Sequence, residues 1–466
     1  MVDSGVLGGG AGVEAELGQW HYLLDPVPGL GLSPLAAVLQ GLCVLVILRG
    51  ISVGKKVTTV LTALKMALCV FVVVVGLALF RWENFKPCTP YGAVGILRGT
   101  SSAYFGFVGY DEVCALAGEC VHPRRDLPRS IALVLAVVSM TYVLGALAIS
   151  GMLPYSSIDP DAGFVLGFAE RGLQWASQVA AVGELVTLPV VVLVCFMAQP
   201  RVLFALASDG LMPKSLSRMD RSGNLRNGIV VSGVVCTAVA LVAPFAGLDD
   251  VISAGVLLIF CVTNSAVIVV RRSKLEPVSQ GPCRPLVLVF NALCLVGGFL
   301  LRVISDLVSQ REGGQEIGWL GMSEVTALGL MAGLAFFVAG AVMVAVAGLP
   351  EQPAELYGEG AFHAPLSPWA PALGIVTAWL LMAQLSWEGL LASAWALLAV
   401  VVWYTLYGVR HSIGQVLWAS SGALSSEQRS LPVNSVKDWH QSRPAENFPH
   451  YQSLTLFPGQ YSVGGY

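Results

Sequence analysis

Charge is what this chain has least of. Of its 466 residues only 12% are charged, whereas 55% are hydrophobic, and the mean hydropathy is +0.73. A soluble globular domain lies far from these values. The ten cysteines form no CxxC pair and no metal-ligand spacing, so no disulfide framework or metal centre is expected. Most fall within apolar stretches, where cysteine packs as a small apolar residue. HExxH, a GxSxG elbow and a GxGxxG after a strand are all missing, which excludes the common catalytic frameworks and leaves no enzyme and no cofactor to expect. The net charge of −3 gives no reason to expect a nucleic-acid partner. Residues 1–31 lack the apolar segment of a signal peptide, and no N-x-[ST] acceptor occurs.

What the chain does have is long apolar runs. Eleven approach or exceed the roughly 17 to 25 residues that cross a bilayer: 32–48, 57–80, 91–118, 131–153, 172–200, 228–248, 251–270, 286–303, 325–348, 369–385 and 390–408. They are continuous rather than alternating, so an all-α polytopic membrane protein is expected and not a barrel. If the first run leads inward, the inner connections hold Arg49, Lys55, Lys56, Arg124, Arg125, Arg129, Arg201, Lys214, Arg218, Arg221, Arg226, Arg271, Arg272, Lys274 and Arg284. With Arg410, Arg429, Lys437 and Arg443 in the tail, nineteen basic residues face six outside: Arg81, Lys86, Arg98, Arg171, Arg302 and Arg311. The positive-inside bias then puts residues 1–31 outside and the C-terminus in the cytoplasm. Residues 412–466, rich in Ser, Pro, Gln and Gly without sustained period, are expected to form a disordered cytoplasmic tail. The helix of the fifth run is expected to stop at Gly210, with Pro213 barring continuation.

The third run contains YFGFVGYDEV, two glycines three apart followed at once by two acids. Unwound backbone survives at membrane depth only where it lines a cavity or is buried in protein. Gly106 and Gly109 would loosen this run, with Asp111 and Glu112 in the first turn of a second half-helix, where acids suit the dipole. Main-chain oxygens of Phe105 to Val108 would be released, acceptors for an ammonium group such as a secondary transporter places near the bilayer midplane. The alternative is a small-residue contact between helices; the neighbouring acids favour the first reading.

Lys65 lies nine residues beyond Lys56, roughly 13 Å into the second run at the helical rise. Its stem reaches only about half that distance, and ionisable groups at such depth are kept mainly on ion or proton pathways. A tilted helix that brings Lys65 nearer the interface is the alternative. Glu184 is the obvious counter-ion, but its depth argues against a direct pair; it is expected to face an outer vestibule, with Thr187 nearer the lysine.

The segments KVTTVLTALKMALCVFVVVVGLALFRWENFKP, AYFGFVGYDEVCALAGECVHPRRDLPRSI, PRVLFALASDGLMPKSL and LLMAQLSWEGLLASAWALLAVVVWYTLYGVRHS resemble the amino acid/polyamine/organocation superfamily and, within it, the cationic amino acid transporters, over about residues 32–412. The resemblance implies a leucine-transporter-type fold of two inverted five-helix repeats followed by four further helices. Residues 32–80 would then be a remnant of the first repeat, 91–271 the second repeat opening on a discontinuous helix, and 284–411 the four additional helices. It implies that Phe105, Gly106, Phe107 and Val108, with Gly109 and Tyr110 beside them, hold the α-ammonium of an amino acid, cationic or small and neutral. It also implies that Lys65 links transport to protons; Asp111, Glu184 and Thr187 are the further residues expected to serve coupling or gating. The partners expected are an amino acid, protons and the lipid bilayer of a plasma, vacuolar or lysosomal membrane. The family's first three helices have no counterpart here, so an incomplete gene product, or a relative turned membrane sensor or assembly partner, is the competing expectation.

Overall fold

The computed structural model describes residues 33–49, 51–86, 88–110, 112–115, 120, 122–159, 162–220, 224–242, 248–272, 282–312, 322–351 and 366–412; Asp111 lies outside them. Among these residues every regular element is helical. Seven helices are long and apolar enough to cross a membrane. Three more, Pro34–Leu48, Arg226–Val242 and Trp369–Ala383, are apolar but shorter. The third apolar run forms none of these, because its helix is interrupted.

The described residues within Met1–Ser208, Met212–Leu257 and Gln384–Ala396 form one compact unit, and those within Asp209–Leu211, Leu258–Ala383 and Leu397–Tyr466 a second. The first unit contains α1 (Pro34–Leu48), α2 (Ile51–Ala78), α3 (Gly92–Tyr104), the single turn α4 (Glu112–Ala115), α5 (Pro123–Met152), α6 (Gly163–Glu170), α7 (Gln174–Ser208) and α8 (Arg226–Val242). The starts and stops follow local chemistry. Pro34 and Pro123 open α1 and α5, where the missing N–H costs nothing. Helix α7 ends at Ser208, and Gly210 takes φ +77 two residues later, the left-handed conformation that halts a helix.

Helix α6 falls between apolar runs and is too short to register as a span. Its Phe168 is fully buried and packs with Met152 and Leu153 at the end of α5 and with Ala176 and Ala180 of α7. The terminal carbonyls of α5 are capped there. The Arg81 N–H donates to Gly151 O at 2.9 Å, the Asn84 amide donates to Gly151 O and Met152 O at 2.9 and 3.0 Å, and Arg171 Nε donates to Met152 O at 2.7 Å. Gly151 lets the Phe80 ring lie against the helix, since a Cβ there would sit 1.9 Å from Phe80 Cδ2. Gly151→Ala is therefore expected to cost about 1–3 kcal/mol through overpacking, read as a lower unfolding midpoint in a thermal melt of the purified protein. A second cluster joins Cys43 and Ile47 of α1 to Leu193 and Phe196 of α7 and Ile229 of α8.

The remaining helices are α9 (Leu248–Arg272), α10 (Cys283–Glu312), α11 (Met322–Ala347), α12 (Trp369–Ala383) and α13 (Trp387–Trp403), the last continued by a π-turn over Tyr404–Gly408. Acids at 249 and 250 and arginines at 271 and 272 place charge at the ends of α9 that each suit. In the second unit Ile268, Phe290, Met343 and Ile375 centre a core drawn from four helices. One polar chain crosses it: Trp379 Nε1 donates to Asn291 Oδ1 at 3.1 Å, and Asn291 Nδ2 donates to Ser265 Oγ at 2.9 Å. Arg272 closes the end of α11 by donating to Ala347 O and Leu349 O at 2.7 and 2.6 Å, carbonyls that the helix itself leaves unpaired.

Candidate functional site

Main-chain geometry departs from helix at the two glycines. Helix α3 runs to Tyr104, tightens into one 3₁₀ turn over Phe105–Phe107, and opens at Val108, whose φ of −64° and ψ of 134° are extended. Gly109 follows at φ +118°, a value that side-chain-bearing residues rarely adopt. Tyr110 lies half-buried in the same turn, and α4 restarts with Glu112, whose N–H donates to Gly109 O at 3.2 Å. An acid thus opens the second helical piece, where the dipole favours it.

The four oxygens of Phe105 to Val108 fall into two groups. Phe105 O accepts the Val108 N–H at 3.1 Å, and Gly106 O accepts the Tyr142 hydroxyl at 2.6 Å. Among the described residues no donor reaches the oxygens of Phe107 and Val108. Expecting all four to be bare overlooked the first two partners; two remain without a donor among the described residues.

Tyr142, on α5, is the site residue that the sequence reading missed. Its ring meets Phe107 edge to face, centroids 5.1 Å apart at 90°. Gly106 makes this approach possible: a Cβ there would lie 3.2 Å from the Tyr142 hydroxyl. The available signal was the polar pair Thr141–Tyr142 inside an apolar run. Thr141 turns back onto Val137 O at 2.9 Å, whereas Tyr142 reaches across to another helix.

Lys65 sits on the packed side of α2. Less exposed positions recur at Thr58, Leu61, Lys65, Leu68, Val72 and Val75, while Val60, Leu64, Met66, Val70 and Val74 are exposed. This three-four spacing is one helical face. Leu68, a turn from Lys65, meets α7 at Gly183, where a Cβ would lie 2.6 Å from Leu68 Cδ1. Cys69, the next turn on from Lys65, lies within electrostatic reach of Tyr142. The lysine is seven residues into the apolar stretch Thr58–Ala78, about 10 Å along the helix.

The other expected residues are dispersed. Thr187 is fully buried, and its hydroxyl donates to Gly183 O and Glu184 O at 2.9 and 3.3 Å, within its own helix. The Glu184 side chain is exposed. Among the described residues neither Lys65 nor Glu184 takes part in an ion pair.

Comparison with known proteins now bears on what this arrangement is for. The family model for amino acid permeases matches residues 32–310, and the model for the permease C-terminus matches residues 362–412. The chain belongs to the amino acid permease family. Within it the chain is similar to cationic amino acid transporter 4 of Mus musculus, at 29% identity over 446 residues, covering 86% of this chain and 69% of that protein. It is similar to the vacuolar cationic amino acid transporter 4 of Arabidopsis thaliana at 31% over 254 residues, 53% of this chain and 42% of the relative. The methylthioribose transporter of Bacillus subtilis is 28% identical over 268 residues, 56% of this chain and 57% of that protein. The chain thus spans between about two fifths and two thirds of the length of these relatives. Its family consists of transporters rather than enzymes, and this permease is an integral, multi-pass membrane protein. The interrupted helix and Lys65 both fall inside the matched 32–310 segment.

Proposed function

We propose that this permease carries amino acids, cationic or small and neutral, across a membrane by alternating access, and that the α-ammonium group of the substrate seats on the main chain at residues 105–110. The observation that carries the reading is that, among the described residues, no donor reaches the oxygens of Phe107 and Val108 where Gly106 and Gly109 open the helix. Carbonyl oxygens without donors are free to accept hydrogen bonds, and an ammonium group has three N–H donors to offer.

The finer architecture belongs to the same proposal. The seven long helices, the three shorter ones and the interrupted run together make eleven passes, arranged as a leucine-transporter-type inverted-repeat fold with residues 91–271 as one repeat and 284–411 as four further helices. The basic residues orient the tail from Ser412 to the cytoplasm. Lys65, on the α2 face turned toward α7, couples transport to protons, and Asp111, Glu184 and Thr187 are assigned to gating.

The direct test is uptake of radiolabelled lysine, arginine and alanine into lipid vesicles holding this chain. At least one is expected to accumulate above protein-free vesicles and to be displaced by its unlabelled form. Correctly folded protein with no influx of any of the three would count against transport by this chain and for a membrane sensor or assembly partner.

A further inference from the structure

We infer that the Tyr142 hydroxyl is a third acceptor for the substrate ammonium group and the residue by which the site tells primary from secondary amines; this rests on the reading of residues 105–110 given above. A phenol offers one hydrogen and two lone pairs. The hydrogen of Tyr142 is committed, because Gly106 O can only accept and lies 2.6 Å away. The phenolic oxygen therefore presents lone pairs to any further partner, fixed in place by the edge-to-face contact with Phe107 and by the absence of a Cβ at Gly106.

The two peptide oxygens that follow Gly106, those of Phe107 and Val108, have no donor among the described residues. Together with the Tyr142 oxygen, which is held against Gly106 O, they make three acceptors at the break. A primary ammonium has three N–H groups and satisfies all of them, whereas a secondary ammonium has two and leaves one acceptor unpaired. One hydrogen bond to a charged group, gained or lost, corresponds to a preference of roughly tenfold or more. The same logic gives a site built to hydrogen-bond a group its strongest discrimination against analogues lacking that group.

The test measures apparent Kd from ligand-induced thermal stabilisation of the purified chain, using L-lysine and L-alanine, each beside its α-N-methyl form. The wild-type protein is expected to prefer the primary amine by roughly tenfold or more. Tyr142→Phe, which keeps the ring and loses the hydroxyl, is expected to weaken the primary amine and leave the N-methyl form unchanged, so that the preference vanishes. Gly106→Ala, which pushes the ring away from the break, should abolish the preference independently. A Tyr142→Phe protein that keeps the wild-type ratio, or weakens both forms in parallel, overturns the assignment to Tyr142 while leaving the ammonium site standing. A wild-type protein stabilised by none of the four ligands overturns the ammonium site itself, and the assignment with it.

Discussion

Lys65→Met is expected to leave amino acid movement intact and to remove its dependence on a pH gradient. In vesicles with an acidic exterior, the wild-type chain should concentrate a neutral substrate. For one proton per substrate, a gradient of one pH unit supports about tenfold accumulation, since each unit is worth about 1.4 kcal/mol. The variant should equilibrate its substrate to a ratio near one under the same gradient. Methionine is chosen because it is unbranched and of similar length, so it can fill the same place on the packed face between Leu61 and Leu68 without the charge.

Lys65 is set apart both by its depth in the apolar span and by the face of α2 it occupies. An ammonium well inside an apolar span is costly and is retained mainly where ions or protons move. A lysine serving only to reach the interface would sit equally well on the exposed side of α2 with Val60, Leu64 and Met66. It sits instead among the half-buried residues, one turn from the contact with Gly183, and no carboxylate among the described residues is paired to it. Uptake by the methionine variant that still follows the imposed gradient would remove Lys65 from the coupling mechanism. Loss of all uptake with the fold intact would instead make it part of the substrate path.

Hydropathy made the spans legible because a bilayer demands length and apolarity together, and both are properties of contiguous sequence. At 369–385 it overstated the span: the run yields a helix of 15 residues, since its last apolar residue continues into the connection. Helix α6 stayed hidden because its eight residues are too few to stand out as a span, and Phe168 is buried by neighbours brought from α2, α5 and α7. At the site, Gly106 and Gly109 could be read from their spacing, for the reasons that make glycine useful anywhere: close approach and unusual φ. That Gly106 answers to Tyr142, 36 residues away, could not be read, because nothing local tells a tyrosine which backbone oxygen it will meet. The same applies to the lysine: its depth follows from counting residues, but the side of α2 it faces depends on which helices pack there.

The second large effect is expected at Gly109. Gly109→Ala should reduce uptake by more than about tenfold while leaving the yield and unfolding midpoint of the purified protein close to wild type. A methyl group at residue 109 has room, since no atom lies within 4 Å of a Cβ built there, so the cost arises from the backbone alone. At φ +118° an L-residue is strained by about 1–3 kcal/mol, and the chain can relieve that strain by rotating back to negative φ. Doing so swings the peptide that carries Val108 O and shifts Gly109 O away from the Glu112 N–H that begins α4. The packed faces of α3 and α5 need not change, which is why stability is expected to survive while the pair of bare oxygens is lost. Gly106→Ala acts by the opposite route, through a contact of 3.2 Å with the Tyr142 side chain and with no demand on φ. Uptake by Gly109→Ala at the wild-type rate would show that the open conformation at residue 109 is dispensable, and the oxygens beside it could then no longer be held responsible for binding the ammonium group.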